Sequence, residues 1–337
     1  MYRHLKLYLF IVGVLTTITL FIFISMSISK LFTIDNELMQ QTQEKLPSYH
    51  FVLISEEVDN DYWRLVEKGA REAEKYYDVY VEYKGPKRSN LKEHIKLVEM
   101  AVASKVDGII TQALSEEDFS PIINDAVKKG IPVITIDTDA PTSDRAAYIG
   151  TDNYYSGILA GKTIIEDTVG KVNVGIITGN FDSEHQKLRV QGFMDMIKDV
   201  DRINVVAIEE SNISRLEAEQ KAYQLLKQHE EINAFYGTSA LDGSGIVAAI
   251  HKTKKNDLYV IAFDTLVETV ELLEKDEIQA IVAQEPFEMG FKSVEILMEE
   301  IHFQPKSTVN HTNTTIIRKK DLTNIEREMQ VIGDTYD

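Results

Sequence analysis

Two kinds of hydrophobic pattern divide the chain. Residues 7–29 carry no charge. As a helix rising about 1.5 Å per residue, that run reaches about 34 Å, enough to cross a hydrocarbon core of ~30 Å. Arg3 and Lys6 precede it, close to its short N-terminal end, while Asp35, Glu37 and Glu44 follow together with Lys30 and Lys45. Counting basic residues at its ends places the N-terminus in the cytoplasm and the bulk of the chain outside. Ser25, Ser27 and Ser29 would suit a cleaved signal, but signal cores run about 7–15 residues, so the longer run favours an uncleaved anchor over residues 1–29. Residues 30–46 contain neither Gly nor Pro, and Leu31, Ile34, Leu38 and Lys45 fall near one helical stripe before Pro47. They predict a helical stalk over residues 30–48. It falls short of the three to four heptads that establish a coiled coil, so a solvated spacer is the simpler reading.

After Pro47 short apolar runs alternate with amphipathic helical patterns. Strands are predicted at 51–55, 79–83, 108–111, 132–137 and 147–150, then at 172–178, 204–208, 234–236, 258–263, 279–283 and 314–317. Between them, Leu65, Val66, Ala70 and Ala73 share one helical face, and Ile95, Val98 and Val102 share another. This alternation predicts an α/β architecture of parallel sheets covered on both faces, wound by right-handed crossovers. The step from Val52 in one strand to Gly69 in the next helix equals the step from Gly175 to Gly192, a weak sign of two related units.

In doubly wound sheets ligands bind at the carboxyl ends of the strands. The residues there are polar or aromatic with unusual regularity. Asn60, Tyr62 and Trp63 follow the first strand, Gln112 the third, and Asp137 and Thr138 the fourth. Arg189 follows the first strand of the second unit, and Ser239, Asp264 and Gln284 follow later ones.

Composition narrows the function. With 36 basic and 54 acidic residues among 337, the formal charge is −18, which disfavours nucleic acid as a partner. No cysteine is present, which excludes thiolate metal sites, cysteine nucleophiles and a cysteine-linked lipid anchor. The eight histidines show no i, i+4 pair, so no metal is expected. No motif requires bond-making. The run 157–163 has one residue too few between Gly157 and Gly161 for a phosphate loop, and reads as helix interior capped by Asp152 and Asn153. Gly243, Gly245 and Ala248, with Asp264 about 20 residues on, fit a loose dinucleotide fingerprint, but the glycines come late after the strand and read better as helix packing. Adjacent acids such as Glu56-Glu57, Glu116-Glu117 and Glu209-Glu210 read as solvated faces.

Several of these segments together resemble the type I periplasmic-binding-protein superfamily, in its ribose, xylose and galactose-binding branch, over roughly residues 49–320. They are Asn60-Asp61-Tyr62-Trp63 with Gly69-Ala70, the run 130–137 ending in Asp137, the run 149–153 with Gly157 and Gly161, Gly192-Phe193 behind Arg189, the run 261–264, and Ala283-Gln284 before Met289-Gly290. The resemblance implies two Rossmann-like lobes joined by three crossovers near 150–152, 284 and 313, with sugar bound between them. The lobes would be 49–151 plus 285–313 and 152–284 plus 314–337. It implies ligand contacts from Asn60, Tyr62, Trp63, Gln112, Asp137, Thr138, Arg189, Ser239, Asp264 and Gln284. Gln112 and Ser239 stand where the family often has asparagine, and Thr138 where ribose-binding members have arginine. The chemistry suits a sugar: aromatic rings cover its C–H face, while carboxylates, amides and a guanidinium meet its hydroxyls. The expected function is a membrane-tethered, extracytoplasmic sugar-binding protein without cofactor, serving an ABC permease or acting as co-receptor for a membrane sensor histidine kinase. Two alternatives stay open: a nucleotide-dependent enzyme using Gly243 to Asp264, and a LacI-like effector domain without its DNA-binding head.

Overall fold

The computed structural model describes residues 13, 16, 18–26, 47–253, 255, 257–302 and 308–322. The chain forms two compact units, Met1–Ser48 and Tyr49–Asp337. In the first, residues 18–26 are helical and exposed. Most of the expected anchor, and nearly all of the expected stalk, lie outside the described residues. Among the described residues no helix is long and apolar enough to cross a membrane.

The second unit is built on two six-stranded sheets. The first contains β1 (Tyr49–Ile54), β2 (Val79–Lys84), β3 (Gly108–Thr111), β4 (Val133–Ile136), β5 (Ala147–Thr151) and β11 (Thr308–Thr312), in the order β11-β5-β4-β3-β1-β2. The second contains β6 (Val172–Thr178), β7 (Ile203–Glu210), β8 (Ala234–Gly237), β9 (Tyr259–Phe263), β10 (Ala280–Ala283) and β12 (Thr315–Ile317), in the order β12-β10-β9-β8-β6-β7. Strand for strand the two orders correspond. The first sheet is wholly parallel, and the second is parallel except for β12, which pairs antiparallel with β10. Every strand read from the sequence is present to within two residues. Only β11 escaped, because Thr308-Val-Asn-His-Thr312 is a polar, largely exposed edge with no apolar run to mark it.

Nine helices among the described residues cover these sheets: α1 (Asp61–Glu74), α2 (Leu91–Ala103), α3 (Glu116–Lys128), α4 (Asn153–Asp167), α5 (Glu184–Ile197), α6 (Arg215–Gln228), α7 (Asp242–Thr253), α8 (Val267–Glu274) and α9 (Pro286–His302). The two-residue alternation of a strand explains why both sheet faces are apolar. Phe51 and Leu53 of β1 pack with Val66 and Ala70 of α1 and Leu297 of α9. Val52 and Ile54, on the opposite face, pack with Val98 of α2 and Phe119 and Ile123 of α3. In the second sheet α4 and α5 cover one face and α6, α7 and α8 the other. Side-chain caps fix several helix starts: Asn60, Asn90, Ser115, Asp152 and Ser214 each accept from a backbone N–H of the first turn.

The chain leaves one sheet for the other three times, between β5 and α4, β10 and α9, and β11 and β12. One helix on each sheet is therefore reached by crossing over. Glycines weld these helices to their neighbours. A Cβ on Gly69 of α1 would strike the Phe287 carbonyl of α9, and one on Gly290 would strike the Val66 carbonyl of α1. The pair Gly192 and Gly157 does the same between α5 and α4, against the Tyr154 and Arg189 carbonyls. The matched spacing of Gly69 and Gly192 thus marks the same helix-on-helix contact in both halves.

Candidate functional site

The carboxyl ends of the two sheets face a common cleft. Its outer part holds about 920 Å³ and includes Thr138, Asp139, Asp152, Asn180 and His311 in its walls. A narrower chamber of about 50 Å³ shares Glu56, Asn60, Trp63, His185 and Ile213 with it. From the first lobe the chamber receives Glu56, Asn60, Tyr62, Trp63 and Asp137. From the second it receives His185, Gln186, Arg189, Ser239 and Asp264, with Gln284 entering from the second crossover.

Asp137 and Asp264 occupy corresponding strand ends, after β4 and after β9. Both adopt a left-handed backbone, with φ of 64° and 66°. Asp is among the few non-glycine residues that tolerate this region, and each such position costs about 1–3 kcal/mol. The Asp137 carboxylate accepts from Tyr62 Oη at 2.8 Å and from Gln112 Nε2 at 2.7 Å. Gln112 Nε2 also donates to Thr138 Oγ1 at 2.9 Å. The Asp264 carboxylate accepts from Gln284 Nε2 at 2.6 Å, and burial pushes its pKa up to about 6 against the opposing pull of Arg189.

Arg189 is buried with its guanidinium 3.8 Å from the centre of the Phe263 ring. It donates to Asn153 Oδ1, to the Thr238 carbonyl and to Gln284 Oε1. Gln284 Oε1 accepts a further bond from Thr151 Oγ1 at 2.6 Å. Arg189 therefore ties two of the crossing segments together as well as lining the chamber. Trp63 is buried and meets Tyr62 edge to face, 5.5 Å between ring centres. Asn60 lines the chamber, but its Oδ1 caps α1 by accepting from Tyr62 N at 2.9 Å. Ser239 Oγ and Gln112 Oε1 are buried without a partner, a costly state for polar atoms.

Eight of the ten residues singled out from the sequence line this chamber together. Thr138 lines the outer cleft, and Gln112 stands behind Asp137 and binds it. Three polar members were not anticipated. Glu56, read from sequence as part of a solvated face, instead lines both compartments, and burial pushes its pKa up to about 7. His185 and Gln186 lie in the first turn of α5, inside the segment 180–189 that follows β6, from which the sequence singles out only Arg189. His185 Nδ1 lies 2.8 Å from Thr138 Oγ1, a direct link from one lobe to the other.

Burial holds the imidazoles of His185 and His94 down to a pKa of about 4. Both rings should therefore stay neutral well below the usual histidine range. Carbon-13 histidine NMR should show two rings that do not titrate above pH 5; ordinary midpoints near 6.5 for all rings would contradict this burial.

The dinucleotide alternative fails on packing. Gly243 and Gly245 lie within α7, where added Cβ atoms would meet Ala262 of β9 and Ala218 of α6. They let a helix approach its neighbours and form no phosphate turn.

Comparison with known proteins agrees with this architecture. Residues 51–305 match the family described as periplasmic binding protein domain. A solved glucose-galactose binding protein, GanP from Geobacillus stearothermophilus, is 53% identical, with a TM-score of 0.79 over 81% of this chain and 98% of that one. A chain of the XylFII-LytSN complex is 36% identical, with a TM-score of 0.76 over 81% of this chain and 98% of its own. Among curated proteins, the D-allose-binding periplasmic protein of Escherichia coli (strain K12) is 24% identical over 74% of this chain and 83% of its own. With its two corresponding α/β lobes and its match over residues 51–305, the chain belongs to the periplasmic binding protein family, whose members bind ligands and are not enzymes.

Proposed function

We propose that this protein is an extracytoplasmic receptor for a monosaccharide, held between lobes formed by 49–151 plus 285–313 and by 152–284 plus 314–337. The observation that carries the reading is the chamber itself: carboxylates from corresponding strand ends of both sheets, Asp137 and Asp264, beside a buried indole. An aromatic face suits the C–H surface of a pyranose, and carboxylates suit its hydroxyl donors. Asn60, Tyr62, Trp63, Asp137, Thr138, Arg189, Ser239, Asp264 and Gln284 are the proposed contacts, with Gln112 holding Asp137 and Thr138 in place. The partnerless Ser239 hydroxyl supports a polar ligand. The relative described as a glucose-galactose binding protein, at 53% identity, favours a hexose. A hinge motion at the three crossovers would close the two lobes over a sugar held in the cleft.

The closed form would be read by a membrane partner, an ABC permease or a sensor histidine kinase. The relatives named as ribose import binding proteins support the first, and the relative solved with LytSN supports a protein co-receptor. Residues 7–29 would tether the chain, placing it beside either partner. Deleting the gene should abolish sugar uptake or sugar-induced transcription, and which is lost identifies the partner. Retention of both would contradict this role. The tether is checked by alkaline extraction of membranes, where an anchored chain stays in the pellet and a released one does not.

A further inference from the structure

We infer that Glu56 contacts the sugar as a carboxylate, so that ligand binding expels a proton from this side chain. The inference rests on the sugar reading above. Glu56 leaves the end of β1 and faces both the chamber and the outer cleft. Ser89, from the loop after β2, donates its hydroxyl to Glu56 Oε1 at 2.6 Å and so orients the group. The carboxyl thus sits where the chamber meets the outer cleft, on the same side as Asp137.

The charges around it explain why its protonation is poised. Glu57 on its own segment and Asp137 after β4 repel its negative form, while Ser89 and Gln112 favour it. Across the chamber, His185 is held neutral by burial, and Arg189 is engaged with Asn153, Thr238 and Gln284. Asp264 adds a second acid there, and Glu116 and Asp118 of α3 line the outer cleft. Among the described residues no ion pair reaches Glu56, and burial pushes its pKa up to about 7. The polar inventory then sets the direction of exchange. The chamber's acids are acceptors with lone pairs beyond those their protein donors use, and a sugar hydroxyl can donate to them. A hydroxyl donating to Glu56 favours the ionised form and lowers its pKa in the complex.

The test is calorimetry of the full chain with D-glucose and D-galactose, in buffers of differing ionisation enthalpy and between pH 6 and 8. For the wild type, we expect release of between half and one proton per sugar near pH 6.5, and affinity about tenfold weaker at pH 6 than at pH 8. In Glu56→Gln, which keeps a partner for Ser89, the Glu56 share of both effects should vanish; any residue from Asp264 remains in both proteins. Sugar binding with no proton released, with proton uptake, or with the same pH profile in both proteins would overturn the inference. If the variant binds nothing, the wild-type count at pH 7 decides: about half a proton released assigns it to Glu56, since Asp264 with its pKa of about 6 supplies only about a tenth there, and a tenth or less overturns the inference. A folded wild type that binds neither these nor other monosaccharides at any pH would instead contradict the sugar reading, and the inference with it.

Discussion

Replacing Trp63 by alanine, or Asp137 by asparagine, is expected to weaken sugar binding roughly thirtyfold or more while the chain stays folded. Trp63 supplies the chamber's indole, and truncation of a buried aromatic anchor of this kind costs 2 kcal/mol or more. Asp137 is the carboxylate on which Tyr62 and Gln112 converge. A hydrogen bond to a charged group contributes about 1.5–3 kcal/mol, so losing its charge removes comparable affinity from each ligand hydroxyl it accepts. Asparagine is the informative substitution because it tolerates the left-handed backbone at φ 64°, which alanine does not. Calorimetry with the best wild-type sugar measures the loss, and circular dichroism checks the fold. Unchanged affinity in both variants would remove these residues from the site.

Adding one methyl group at Gly192 should damage the fold more than any change in the cleft. Its Cβ would drive into the Tyr154 carbonyl, with Ile158 N and Tyr154 C about 3.0 Å away, and backbone cannot step aside as a side chain can. Overpacking costs about 1–3 kcal/mol where side chains yield, and more where they do not. Gly192→Ala should therefore lower the melting temperature by roughly 10 °C or prevent folding. Lys162→Ala, on an exposed face of α4, provides the comparison. Its ion pair with Glu166, at 3.7 Å, is solvent-exposed and worth little. Equal melting temperatures for the two variants would contradict the close packing of α4 against α5.

The sequence made the sheets legible because the central strands are buried on both faces, so apolar runs such as Val172–Thr178 stand out from the amphipathic helices between them. The pairing of Gly69 with Gly290 was not legible, since the contact joins segments far apart in the chain. Strand-end reasoning found Asp137 and Asp264, which the structure places at matching positions. It missed Glu56, whose neighbour Glu57 made both resemble a solvated pair, and from α5 it singled out Arg189 but not His185 and Gln186, which reach the chamber from the same helix. Asn60 shows how one residue can carry two roles, since its side-chain Oδ1 caps α1 by accepting from Tyr62 N while the residue also lines the chamber. Asp264 carries no capping role, since α8 begins at Val267 with Leu266 before it.

The central claim is that the interlobe chamber binds a monosaccharide. Isothermal titration of the full chain in detergent micelles with glucose, galactose, xylose, arabinose and ribose tests it most directly. At least one sugar should give saturable heat with one site per chain, and that heat should disappear in Asp137→Asn. A folded chain giving no saturable heat with any of the five, or heat that Asp137→Asn leaves unchanged, would contradict the account.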